Sequence, residues 1–155
     1  MTNKITTFLT FDNRAEEAMN FYVSIFKNSR INNVTRLGDG AQGEKGTLMT
    51  ATFTLDGQEF MALNGGPHFK FADGISLFVN CETQQEVDDL WAKLTSGGGE
   101  PGQCGWLKDK FGVSWQIVPS VLGQLLNAKD PQKAQRAIQA MLQMTKIDIA
   151  ILEQV

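Results

Sequence analysis

His68 is the only histidine among the 155 residues, set in the stretch Asn64-Gly65-Gly66-Pro67-His68-Phe69-Lys70. Imidazole is the usual ligand for Zn²⁺ and the usual proton carrier near neutral pH. One histidine with no matched partner cannot build a metal centre alone. Three readings compete for it: a loop residue, a rim contact to an anionic or carbonyl substrate, and a metal ligand. The surrounding turn residues favour the first. Cys81 and Cys104 are the two thiols, and they form no CxxC pair. Cys104 would need a base or cation beside it to act as a nucleophile. Lys108 and Lys110 are near it in sequence only.

Other cofactor signatures are missing. No GxGxxG follows a strand-like run, and no phosphate-loop lysine pattern occurs. A Rossmann-type seat for S-adenosylmethionine is therefore not expected, and the expected cofactor set is empty.

The formal net charge is −3, with 42% apolar and 20% charged residues. Without a broad positive field, nonspecific nucleic-acid binding is disfavoured. The opening MTNKITTFLTFD is too short and polar for a signal peptide, and no apolar run approaches the roughly 20 residues of a membrane span. A cytoplasmic protein with two free thiols and no membrane partner is the expectation.

The elements that must carry these residues repeat. KITTFLTF and GISLFVN alternate as strands, the first with Ile5, Leu9 and Phe11 toward a helix, the second with Ile75, Leu77 and Val79. Each is followed by a helical stripe: Ala18, Phe21, Tyr22 and Ile25, then Val87, Leu90, Trp91 and Leu94. RINNVTRL, GTLMTATFTL and QEFMAL follow the first helix, with Asp56-Gly57 as a hairpin turn. QCGWLKD and KFGVSWQIV follow the second, after the glycine-rich SGGGEPGQ. The order β-α-β-β-β thus occurs twice. The fold class is α+β, with a first module over residues 1–66, a connector over 67–74 and a second module over 75–119. Residues 120–155 form a tail that docks on the body or on a second subunit. Its parts are a short helix in PSVLGQLLNA, a helix capped by Asp130-Pro131 with Ala134, Ile138, Met141 and Leu142 inward, and a helix or strand in KIDIAILEQV.

Alternation assigns the opposite face of each sheet to a cup. Phe8, Glu59, Met61 and Leu63 line one; Ser76, Phe78, Asn80, Ser114, Gln116 and Val118 line the other. Trp115 and Trp91 belong with the core, and Trp106 is free to edge a cavity. Apolar area with a few hydrogen-bonding groups suits a small organic molecule, or simple packing. The ligand-contact set is Phe8, Glu59, Met61, His68, Ser76, Phe78, Trp106, Ser114 and Gln116.

FDNRAEEAMNFYVSIF, LNGGPHFKF, SLFVNCETQQEVDDLW and CGWLKDKFGVSWQIVP together resemble the PhnB-like branch of the vicinal oxygen chelate superfamily, which includes glyoxalase I and extradiol dioxygenases. Members of that branch often carry the label 3-demethylubiquinone-9 3-methyltransferase. The resemblance runs from Ile5 to about Pro119, and the tail is similar too. It implies paired modules, a homodimer, and metal ligands in the first and last strands of each module. Those positions fall here on Thr6 or Thr7, Met61, Ser76 and Gln116, a set without charge or imidazole, so no metal is expected. Three functions follow as alternatives: metal-independent binding of a small organic molecule, an enzyme using Glu59, His68 or a Gln116-bound water, and the labelled methyltransferase.

Overall fold

In a computed structural model, residues 4–39 and 44–155 are described; residues 1–3, at the head of the first expected module, lie outside that set. The chain divides into two compact units, Met1–Lys70 and Phe71–Val155.

The first unit contains β1 (Thr7–Phe11), α1 (Ala15–Ile25), β2 (Arg30–Arg36), β3 (Leu48–Leu55) and β4 (Gln58–Asn64). Its sheet runs β1-β4-β3-β2, with β1 and β4 parallel and the other pairs antiparallel. Asp56 and Gly57 both take positive φ, 46° and 82°, the geometry of a tight hairpin whose twist matches its strands. Leu9, Phe11, Ala51, Phe53, Leu55, Phe60 and Ala62 are buried at alternating positions, as are Ala15, Ala18, Met19 and Tyr22 of α1. Phe53 and Phe60 stand opposite in register and stack with ring centroids 5.7 Å apart. Asn64, at the end of β4, substitutes for a helix cap: its Oδ1 accepts from the Ala15 backbone N–H at 2.9 Å and its Nδ2 donates to the Leu48 carbonyl at 2.9 Å. One side chain thus satisfies an orphan donor of α1 and ties the helix to the sheet.

The second unit repeats the order with β5 (Ser76–Cys81), α2 (Gln84–Thr95), a 3₁₀ turn at Ser96–Gly98, β6 (Glu100–Pro101), β7 (Trp106–Lys108) and β8 (Ser114–Pro119). Its sheet runs β5-β8-β7-β6. Thr83 caps α2: its Oγ1 accepts from the Glu86 N–H at 3.1 Å, and the Glu86 carboxylate reaches back past the cap to accept from the Glu82 N–H at 3.1 Å. Asp109 is buried and organises the β7–β8 turn. Its Oδ1 accepts from the backbone of Phe111 (2.9 Å) and Val113 (3.1 Å), and its Oδ2 from the Trp115 indole N–H (2.9 Å).

The tail consists of α3 (Ser120–Leu126), α4 (Pro131–Leu142) and α5 (Ile149–Leu152), so KIDIAILEQV forms one helical turn capped by Asp148. It packs within the second unit. Val118, Leu122, Met144, Ile147 and Leu152 share a buried cluster. Gln84 clamps the tail backbone, donating to the Ile147 carbonyl at 3.1 Å and accepting from the Ile149 N–H at 2.8 Å. Lys146 pairs with Asp88 at 2.7 Å, which holds that carboxyl below its ordinary range. From the other side, the Cys104 and Gly105 N–H groups donate to the Met144 and Thr145 carbonyls.

Several expectations need correction. Ile5 and Ile75 are 87% and 74% exposed, because both precede the first paired strand residue, where alternation no longer dictates burial. Phe21, Ile25 and Trp91 are half-buried; the buried stripe of α1 is Ala15, Ala18, Met19 and Tyr22, rotated from the expected one toward Ala15 and Met19, with Met19 and Tyr22 among the largest fully buried side chains. On α4 the buried residue is Ala137, and Leu142 is 55% exposed, since that helix buries a narrow edge against its neighbours. Among the described residues no helix is long and apolar enough to cross a membrane.

Asp109→Ala is expected to cost about 3 kcal/mol, and Asp109→Asn about 1–2 kcal/mol because it retains the backbone bonds but loses the indole acceptor. Urea denaturation followed by tryptophan fluorescence checks both; equal stability of all three proteins would refute the role. Gly105 has φ +86°, and a Cβ there would stand 2.9 Å from the Ile117 carbonyl oxygen and 3.1 Å from Ile147 Cγ1. Gly105→Ala should therefore loosen the tail, seen as faster amide exchange at Ile149, while the β1–β4 amides keep wild-type protection.

Candidate functional site

Along β8 the buried Trp115 and Ile117 alternate with Ser114 and Gln116, which belong to the opposite face. Strand register sets that open face in rows. Ser76, Ser114, Lys108 and Glu100 stand side by side across the sheet, and Phe78, Gln116 and Trp106 form the next row. Opposed side chains in such rows start about 5 Å apart. Gln116 Nε2 donates to Ser76 Oγ at 2.9 Å, an orientation that leaves the amide oxygen available. Phe78 is 59% exposed and Trp106 38%, so a polar amide sits between two accessible aromatic side chains. Ser114 is buried.

Phe8, Glu59 and Met61 belong to the first unit. Phe8, Met61, Thr52 and Asn33 form one row of its open face, and Thr10, Leu63, Thr50 and Thr35 the next. Glu59 is half-buried opposite Thr54. This floor is rich in threonine, with Phe8 as its exposed aromatic. His68 is exposed on the connector and makes no hydrogen bond or ion pair among the described residues. Nothing there fixes its imidazole in one orientation.

The structure moves one residue out of the expected lining: Val118 is covered by the tail cluster. Leu63 keeps its place on the first unit's open face, between Thr10 and Thr50. The structure adds two others. Lys108 shares the face of Ser114 and pairs with Asp73 at 2.8 Å, while Glu100 is its neighbour on β6. The alternation Trp106-Leu107-Lys108, with Leu107 buried, was the available signal for Lys108; nothing in the sequence marked Asp73. Lys110 lies elsewhere, with its Nζ 5.4 Å from the Phe111 ring centroid. Cys81 is buried, and desolvation pushes its thiol up to about 12, with Glu86 and Glu82 adding to the shift. It is inert at neutral pH. Cys104 is half-buried with φ +58°.

The positions that hold a divalent ion in the resembling metal enzymes can be tested directly. Phe8 pairs with Met61 as Phe78 pairs with Gln116, so Thr6, two residues before Phe8, corresponds to Ser76. A threonine hydroxyl, a thioether, a serine hydroxyl and an amide offer neither negative charge nor imidazole. The Gln116 amide nitrogen is already committed to Ser76. These residues do not fit a divalent metal. Among the described residues no group of three or more His, Cys, Asp or Glu side chains is arranged to hold one elsewhere.

Comparison with known proteins gives a consistent relationship. A family profile described as 3-demethylubiquinone-9 3-methyltransferase matches residues 3–118. A PhnB protein from Bacillus cereus is 43% identical, with a TM-score of 0.71 over 76% of this chain and 100% of that one. Protein PA1353 from Pseudomonas aeruginosa is 21% identical, with a TM-score of 0.63 over 76% of this chain and 98% of that one, and so shares the fold. The fosfomycin resistance protein FosX from Listeria monocytogenes, 10% identical, reaches a TM-score of 0.50 over 86% of this chain and 98% of its own. No curated protein matches. The chain belongs to the PhnB-like family described as 3-demethylubiquinone-9 3-methyltransferase.

Proposed function

We propose that this protein binds a small organic molecule on the open face of its second module, without a divalent ion at the superfamily's ligand positions. The observation that carries this reading is the row Phe78–Gln116–Trp106 with its Ser76–Gln116 hydrogen bond. Where a metal ligand would be needed, the chain has a preoriented neutral amide. Aromatic side chains on either side supply contact area, and the free amide oxygen supplies one directional bond. Few polar groups in a largely apolar surround is the usual composition of a small-molecule site.

An enzyme reading rests on Glu59, His68 or a water on Gln116. It is weaker because a general base needs a held orientation, and His68 has none. The methyltransferase reading takes its support from the family description. Against it, the two strand-to-helix connections, residues 12–14 and 82–83, contain no glycine, so neither gives the close backbone approach that a nucleotide-bearing cofactor uses in Rossmann-type enzymes. The dimer that the resemblance implies remains part of the proposal.

The test is a screen of small organic molecules against ¹⁵N-labelled protein in EDTA, read at the Gln116 side-chain amide and the Trp106 indole. Binders are expected to shift both signals, and Phe78→Ala, or Trp106→Ala read at Gln116, should weaken binding by about tenfold, the worth of one aromatic contact. Binding that appears only when Zn²⁺ or Mn²⁺ is added would contradict the proposal. So would micromolar binding of S-adenosylmethionine that ignores both substitutions.

A further inference from the structure

Beside the Phe78–Gln116–Trp106 row lies an open groove of about 160 Å³, lined by Asp73, Glu100, Pro101, Trp106, Lys108 and Ser114 among others. Its volume suits one ring-sized group rather than a whole drug-sized ligand. Ser114 is only 4% exposed, yet its hydroxyl makes no hydrogen bond to any described residue. A buried hydroxyl without a partner is costly. No wholly inaccessible side-chain nitrogen or oxygen among the described residues lacks a partner, so the Ser114 oxygen keeps its access through the groove. It is a hydrogen-bonding group held ready on the groove's floor.

Charge decides what such a group would meet. Lys108 Nζ is neutralised by Asp73 at 2.8 Å, and Glu100 stands opposite Lys108 in the β6–β7 pair with no ion pair of its own among the described residues. Two carboxylates against one ammonium leave the groove with one unit of negative charge. The Lys108 ammonium senses this field: the hydrogen bond and charge of Asp73, with a smaller contribution from Glu100, hold its pKa above the ordinary lysine value. Trp106 supplies an indole at the same place, and an indole attracts cations through its ring electrons. An anion would have to displace Asp73 while facing Glu100.

We infer that this groove takes an organic cation, an ammonium or similar head on a small apolar or aromatic body. The body lies on Trp106 and Pro101, the head sits by Glu100, and Ser114 Oγ accepts a hydrogen bond from it. The inference rests on the reading of the second module's open face as a ligand surface, and gives that ligand a charge class.

Three matched probes test it on the full ¹⁵N-labelled chain at neutral pH: phenethylammonium, phenethyl alcohol and 3-phenylpropanoate. Phenethylammonium should shift the Trp106 indole and Ser114 amide signals saturably, binding at least about fivefold tighter than the alcohol and tighter still than the propanoate. Glu100→Gln should remove that advantage while leaving the alcohol's affinity unchanged, and Ser114→Ala should weaken the ammonium about threefold. An advantage that survives Glu100→Gln, or equal or tighter binding of the alcohol or propanoate at these signals, overturns the cation assignment and leaves the face as a ligand surface. Shifts at Phe78 and Gln116 alone overturn the groove. No shift anywhere on the second module overturns both the groove and the ligand-surface reading.

Discussion

Each module has a sheet with two faces and one helix to cover them. That mismatch governs the rest of the structure. Alternation at every second residue sends Phe53, Phe60, Trp115 and Ile117 under a helix, and the same geometry sends the residues between them to the uncovered side. A free open face must carry groups that tolerate water or bind something. In the first module it carries threonines; in the second it carries aromatics, an amide and ionised groups. The difference is why the second module is the better place to look for a ligand.

Holding that face in shape takes buried polar work. Asp109 fastens the β7–β8 turn and reaches the Trp115 indole, fixing the strands that bear Trp106, Lys108, Ser114 and Gln116. The tail is clamped by Gln84 on one side and by the N–H groups of Cys104 and Gly105 on the other. It thereby covers Val118 and sets where the open face ends. The Trp106 strand begins immediately after that clamp, so tail docking and the position of the indole are mechanically linked.

The duplicated β-α-β-β-β order could be read from the sequence because period-two and period-3.6 patterns are local properties. The parity of Ser76, Phe78, Ser114 and Gln116 was legible for the same reason. Burial at strand ends was not: Ile5 and Ile75 look like core residues until pairing is known to start two and one residues later. Val118 was placed in the cup because alternation cannot anticipate a distant helix covering one end of a strand. Asp73 was invisible, since its pairing with Lys108 joins the connector to β7 across 35 positions of sequence. The roles of Glu59 and His68 were open from the sequence, and their placement gives neither an orienting partner.

Native mass spectrometry of the protein as purified, with no metal added, addresses the central claim most directly, namely that a neutral amide–hydroxyl pair stands at positions where a divalent ion would need charged or imidazole ligands. The expected spectrum shows subunits carrying no divalent ion and, where extra mass is retained, an organic one that is lost in Gln116→Ala. One tightly held divalent ion per site, released by the same substitution, would contradict it.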